Sequence, residues 1–383
     1  MLRSKTRLLV SCGEPSGDLY AGELLRHLRP RTEGLQAFGL GGDHVLHQGA
    51  SVLAHVRDLA VVGLIEVVRH LKRLRGVFDR VLREVDRERP DAAVLVDYPD
   101  FNLRLARELK RRGIPVVYYI SPQIWAWRKG RIKTIRETVA RMLVLFPFEE
   151  PLYREAGVPV TFVGHPLVDL VPAPTSRLAL REGLGLHRDG GLVSLLPGSR
   201  PQEVAHNLPP LVDAVDRMVK QRPDLRFVLA VAPALDRAAL RAPFGTLPVN
   251  AVQGQTHAAL GAADMAVVAS GTATVEAALL ETPMVVVYRM SPLTYGIGRP
   301  FVQVPHFAMA NLIAGRRLVP ELIQKDFTGE RVAAESLRLL GDPARLAEMR
   351  DGLREVRIRL GEPGASARAA EAVLAELGSG EKS

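Results

Sequence analysis

Short apolar runs alternate with amphipathic helical segments along most of this chain, and the pattern occurs twice. In the first half the runs fall at 8–11, 35–39, 92–96, 115–120, 141–145 and 160–163; in the second they fall near 192–196, 226–231, 248–252, 265–269 and 284–288. Strands this short, separated by stretches of helical period, belong in parallel sheets. A parallel pair needs a crossover, and the crossover that packs back on the sheet is a right-handed helical one. The spacing therefore predicts an α/β protein of two Rossmann-like domains facing each other across a cleft. The proline-rich, aperiodic stretch VPAPT at 171–175 reads as the linker. It sets an N-terminal domain at 1–170 and a C-terminal domain at 176–345. The helices of 346–383 pack on their own N-terminal domain or on a partner, and the sequence leaves that choice open.

Composition narrows the class. A chain of 383 residues with 47% hydrophobic and 24% charged residues is large enough for two cores and is neither disordered nor membrane-spanning. No apolar run reaches the ~18 residues of a transmembrane helix, and the basic N-terminus has too short an apolar stretch for a secretory signal. A single cysteine, Cys12, excludes an internal disulfide or a cysteine-built zinc site and fits a reducing cytoplasm. Cys12 reads as a small buried residue rather than a nucleophile. The net charge of +9 favours phosphates or anionic surfaces. Nucleic acid is the weaker choice, because neither zinc-finger spacing nor an RNP-like aromatic motif accompanies the charge.

In open parallel sheets ligands bind beyond the carboxyl ends of the strands. Here those ends carry GEPSGD (13–18), DYPD (97–100), SPQIWAW (121–127), PGSR (197–200) and SGTATVE (270–276). The PGSR turn suits an anion. Gly198 lets the backbone approach a phosphate, Ser199 caps the following helix or donates to an oxygen, and Arg200 adds a two-pronged cation. Ser270, Gly271 and Thr272 open a second helix whose N-terminus favours a diphosphate. Two stretches raise the question of a membrane. One is an apolar seam through Leu64, Val68, Leu71 and Phe78 beside Arg69, Lys72, Arg73 and Arg75; the other is Trp125, Trp127, Arg128 and Lys129. Each also fits an ordinary packed helix or a basic solvated face. No Asp-x-Asp follows a strand and the histidines are scattered, so neither metal nor cofactor is expected. His165, near the expected hinge, reads as structural.

Taken together, the stretches GEPSGD, DYPDFN (97–102), YYISPQIWAWRKGRIKTI (118–135), FPFE (146–149), VGHPLVD (163–169), LLPGSRPQEV (195–204), SGTATVEAAL (270–279) and NLIAGRRLVPELIQ (311–324) resemble the lipid-A-disaccharide synthase family. They cover nearly the whole chain in family order. The resemblance implies a B-type, inverting glycosyltransferase. Its reaction moves 2,3-diacylglucosamine from UDP to the 6-hydroxyl of 2,3-diacylglucosamine 1-phosphate, giving a β-1',6 disaccharide and UDP. Its partners are those two acylated sugars and a membrane surface, and its place is peripheral, at the inner face of the cytoplasmic membrane.

An inverting transfer calls for a base on the acceptor hydroxyl and for stabilisation of the departing diphosphate. Asp97, at a strand end and matching the family's motif, is the expected base, with Asp100 capping the helix beside it; Glu14 is the second candidate. On the donor side stand Gly198, Ser199, Arg200, Ser270, Gly271, Thr272 and Glu276, the last implied by related transferases to hold the ribose. Asn311 joins them through its family-matching stretch, which also contains Glu321, although the sequence does not assign either a role. Competing readings are an epimerase-type nucleotide-sugar enzyme of the same fold and a membrane-docked carrier without turnover. A nicotinamide enzyme lacks its GxGxxG motif.

Overall fold

The computed structural model describes residues 5–59, 66–122, 124, 130–186, 189–289 and 306–379, excluding the side chains of 66–72 and 379. Two compact units divide the chain. The first runs to Pro166 and resumes at Gly361, and the second is Leu167–Leu360.

The first unit holds a parallel sheet of β1 (Arg7–Cys12), β2 (Gln36–Gly41), β3 (Ser51–His55), β4 (Ala92–Val96), β5 (Val116–Tyr119), β6 (Arg141–Val144) and β7 (Val160–Phe162), in the order β3-β2-β1-β4-β5-β6-β7. The second holds β8 (Leu192–Leu196), β9 (Arg226–Val231), β10 (Val249–Gln253), β11 (Met265–Ala269), β12 (Met284–Tyr288) and β13 (Glu321–Ile323), in the order β10-β9-β8-β11-β12-β13. Strands β4, β8 and β11 are buried at every residue, as expected of parallel strands covered by helices on both faces. Each sheet reverses its winding once, between β1 and β4 in the first and between β8 and β11 in the second. At such a switch point the helices leave on opposite faces and a crevice opens at the strand ends.

Strands β3 and β13 were not anticipated. Both are edge strands, and neither has the fully buried apolar run that marks the central ones. The boundaries also differ from expectation. The exposed stretch 172–175 lies inside the second unit, and the division falls before it. At the far end, helix Pro343–Arg359 belongs to the second unit, where it buries Leu346, Met349, Leu353 and Val356. The chain then turns at Gly361 (φ +96°), whose missing side chain lets it lie against Gly164. Helix Ala365–Ser379 packs on helix Pro15–Leu28, with Ala369, Ala370 and Val373 fully buried. Arg368 donates to the Val163 carbonyl at 2.9 Å, and Arg141 pairs with Glu376 at 2.6 Å.

Candidate active site

Around the first switch point, β1 delivers Glu14 and β4 delivers Asp97. Glu14 is the N-cap residue of helix Pro15–Leu28, in extended backbone, with no side-chain cap bond of its own. Beyond β4 the chain does something costly: Asp97 (φ +47°) and Tyr98 (φ +51°) are consecutive left-handed residues, neither of them glycine. Such residues each cost roughly 1–3 kcal/mol and persist only where the surroundings over-determine them. Here they do. The Asp97 N–H extends the β4–β5 ladder by donating to the Tyr119 carbonyl at 3.0 Å. The Asp97 carbonyl accepts from the Tyr118 hydroxyl and from Asn102 Nδ2, both at 2.7 Å. Asn102 is fully buried; its Nδ2 also reaches the Ser11 and Val96 carbonyls, and its Oδ1 accepts from Ser11 Oγ at 2.7 Å.

Tyr98 covers the turn after β1. A Cβ on Gly13 would sit 2.3 Å from the Tyr98 ring, so the close approach requires glycine there. The ring stacks on Phe101, and its hydroxyl titrates above the ordinary range, first because of burial and then because of the carboxylates of Glu14 and Asp100. Burial and the nearby Asp97 carboxylate likewise push the Tyr118 phenol well up. The turn thus gathers Glu14, Asp97 and Asp100 around two tyrosines.

One expectation is corrected here. The N-cap of helix Pro99–Arg111 is Tyr98, not Asp100. Asp100 lies one residue inside the first turn, exposed, and pairs with Arg131 at 2.5 Å. The remaining acid of GEPSGD, Asp18, is buried and structural: its carboxylate accepts from the backbone N–H groups of Gly42, His44 and Val45, holding the start of helix Asp43–His47.

Around the second switch point the chain meets the same geometric demand with glycine. Gly198 (φ +122°) follows β8 and Gly271 (φ +155°) follows β11. The two turns differ in what they leave open. At PGSR, helix Pro201–Gln221 begins with a proline, which has no N–H, and its N-cap is Arg200. Of the two roles open to Ser199, capping this helix is therefore not the one it takes. Its N–H instead donates to the Glu203 carboxylate at 3.1 Å, so a side chain of the same turn already stands against that amide. Glu203 lies three residues after the cap and reaches back past it to the preceding residue, a contact the sequence reading missed. Tyr288, at the end of β12, is raised by burial and by Glu203 and lowered by Arg200, which places the three together.

At SGTAT the helix Thr272–Leu279 starts without proline, and among the described residues no side chain caps it. Gly271 and Thr272 are exposed, so the first-turn N–H groups and their positive field face outward. Ser270 Oγ donates to the Phe307 carbonyl at 3.4 Å. One turn further on, Glu276 approaches His257 Nε2 at 3.3 Å. Nothing in the sequence joined these two residues, which come from successive βα units.

Asn311 holds a loop of the second unit. It is fully buried, and both ends of its amide are engaged: Oδ1 accepts from the Leu318 and Val319 N–H groups, and Nδ2 donates to the Val319 carbonyl and Glu321. Glu321 in turn accepts from the N–H groups of Phe307 and Ala308 at the start of helix Met309–Ala314. The pair shapes the loop beside β13, and Asn311 has no side-chain group left for a donor substrate.

His165 is buried between Tyr20 and Phe146, with ring centroids at 5.9 and 5.6 Å, and burial pulls its pKa down to about 3. It is neutral at physiological pH. Cys12 is equally inaccessible, its thiol pushed up by burial and by Asp18. Trp125, Trp127, Arg128, Lys129 and Leu64, together with the side chains of Val68 and Leu71, lie outside the described residues. Farther along the same helix, Glu66–Glu88, Val77, Val81 and Val85 are buried against the first core and Phe78 packs on it, so that part of the expected membrane seam faces the protein. Among the described residues, no helix is long and apolar enough to cross a membrane.

Solved structures share this fold over almost the whole chain. A UDP-GlcNAc 2-epimerase from Neisseria meningitidis, bound to UDP-GlcNAc, superposes with a TM-score of 0.65 at 12% identity, covering 97% of this chain and 99% of its own. The kitacinnamycin glycosyltransferase gives 0.63 at 19% identity, covering 97% and 98%. The architecture is that of the GT-B glycosyltransferases and their epimerase relatives. Within that class the chain belongs to the lipid-A-disaccharide synthetase family, which matches residues 8–375. A lipid-A-disaccharide synthase from Myxococcus xanthus is 47% identical over 371 residues, 96% of this chain and 97% of that protein. The chain is accordingly an inverting, UDP-sugar-dependent glycosyltransferase of lipid A disaccharide synthesis, and the epimerase alternative is not favoured.

Proposed function

We propose that the donor is UDP-2,3-diacylglucosamine and the acceptor 2,3-diacylglucosamine 1-phosphate, with Asp97 taking the proton from the acceptor 6-hydroxyl. The observation that carries the assignment of the base is the left-handed turn at Asp97, pinned from two sides at the first switch point. Energy is spent there on the direction of one carboxylate. Glu14 stands across the same switch point and helps to orient the acceptor. As the hydroxyl oxygen attacks the anomeric carbon, the bond to the UDP oxygen breaks on the opposite face and the configuration inverts. The departing diphosphate is received by the N–H groups of Gly271 to Ala273 and by the Arg200 guanidinium, and Glu276 holds the ribose hydroxyls. Acylated substrates also favour a peripheral position on the inner face of the cytoplasmic membrane, with the exposed Arg73 and Arg75 toward anionic lipid.

The test is UDP release from the acylated donor, with and without the acylated acceptor, by wild type and Asp97→Asn. Release that requires acceptor and falls by about 10²–10⁴ in the variant is the expected outcome. Undiminished turnover would move the base to Glu14. Sedimentation with vesicles of anionic lipid, compared with neutral ones, checks the membrane assignment; equal recovery from both would remove it.

A further inference from the structure

We infer that Tyr118 and Asn102 are positioning residues that set the aim of the Asp97 carboxylate by clamping its backbone, an inference that rests on Asp97 being the base. The direction of a Cα–Cβ bond follows from φ and ψ, and Asp97–Tyr98 are left-handed in succession, a conformation that even aspartate adopts mainly as a single residue and tyrosine disfavours. What holds it is specific. The Asp97 carbonyl receives two hydrogen bonds of 2.7 Å, one from the Tyr118 hydroxyl on the neighbouring strand β5 and one from Asn102 Nδ2 in the helix that follows. Asn102 is itself fixed from the other side of the switch point, where Ser11 at the end of β1 donates to its Oδ1 at 2.7 Å and the Ser11 carbonyl accepts from Nδ2 at 3.2 Å.

The clamp therefore ties three adjacent strands, β1, β4 and β5, to one peptide group. Tyr118 and Asn102 are both fully buried, so neither side chain is presented to substrate, and their effect on the reaction passes through Asp97. A group that is only slightly misaimed loses rate rather than binding, because proton transfer depends on sub-ångström alignment that ground-state contacts do not sense.

The experiment uses the full-length protein and four variants: Asp97→Asn, Tyr118→Phe, Ser11→Ala and the double variant Asp97→Asn with Tyr118→Phe. Tyr118→Phe removes one hydroxyl and keeps the ring. It is expected to lower kcat about tenfold, to leave both KM values within twofold, and to add nothing in the Asp97→Asn background. Ser11→Ala removes the hydroxyl that donates to Asn102 Oδ1, loosening the amide on that side, and is expected to lower kcat severalfold in the same selective way; it carries the test if Tyr118→Phe fails to fold, as judged by thermal melting. Should Asp97→Asn collapse kcat while Tyr118→Phe and Ser11→Ala leave it within twofold, or should Tyr118→Phe act multiplicatively on Asp97→Asn, the clamp is overturned and the base stands. Unchanged kcat in Asp97→Asn would overturn the base and, with it, the clamp.

Discussion

The two switch points are the same piece of topology built in opposite ways, and the proposed roles follow that difference. Both lie where a Rossmann-like sheet reverses its winding, and both need positive φ in the turn that leaves the strand. In the second unit Gly198 and Gly271 supply it without strain, and at Gly271 the first-turn amides face outward, open to an anion. The first unit supplies it with Asp97 and Tyr98, at a cost of a few kcal/mol met by buried hydrogen bonds. A binding turn needs accessible N–H groups, whereas a turn that aims one carboxylate needs a side chain at the strained position. Glycine suits the first and is useless for the second.

The contrast can be broken experimentally, since substitutions at the first switch point should act on kcat and those at the second on donor affinity. Beyond Asp97→Asn, which should leave UDP affinity within twofold while abolishing most turnover, the next largest effect is expected from Arg200→Ala. Loss of a charge-assisted hydrogen bond, about 1.5–3 kcal/mol, should weaken UDP binding roughly 10- to 100-fold by calorimetry. A kcat effect with unchanged UDP affinity would erase the division of labour. Gly13→Ala forces a methyl group into the Tyr98 ring and should cost about 1–3 kcal/mol in denaturant unfolding, together with much of kcat. If stability and kcat both stay at wild-type values, the packing of Tyr98 over that turn is not what shapes the site.

A different kind of effect, on pH dependence, belongs to the first unit. His165 has a folded-state pKa of about 3, well below the ordinary 6.5, so between those values the unfolded chain binds a proton that the native one does not. Stability of the first unit should thus fall as pH drops from about 6.5 toward 3, by up to about 1.4 kcal/mol per pH unit from this residue. His165→Gln should flatten that dependence in urea titrations, and an unaltered slope would show that His165 does not set it. The least effect is expected at Cys12. Its buried thiol should resist alkylation in the native protein and react only on unfolding, with rapid native labelling the contrary result.

Much of this was readable in advance because it depends on short-range patterning. The central strands announce themselves as apolar runs, and the strand-end motifs follow from where those runs stop. Strands β3 and β13 were not readable, because SVLAH is bounded by a serine and a histidine and β13 is only the three residues ELI, so neither offers a conspicuous apolar run. Neither was the return of helix Ala365–Ser379 to the first unit, which depends on a glycine turn and on small side chains meeting helix Pro15–Leu28. The bonds of Asn311 were not readable for a related reason: a motif records that a residue matters, and the same asparagine can hold a ligand or a loop.

The amino-acid sequence by itself determined the two α/β domains, the strand ends that carry chemistry and the family, since each rests on residue order and on periodicities that one segment contains whole. Only the tertiary structure decided how those ends are used. It brought Glu14 beside Tyr98, bonded Asn102 to three strand-end carbonyls, placed Glu203 against the Ser199 amide and paired His257 with Glu276. Apart from the short-range Glu203 contact, these join segments far apart in the chain or depend on the exact turn between them. Their geometry exists only once the sheets have assembled, because strand order, not sequence distance, sets which turns become neighbours.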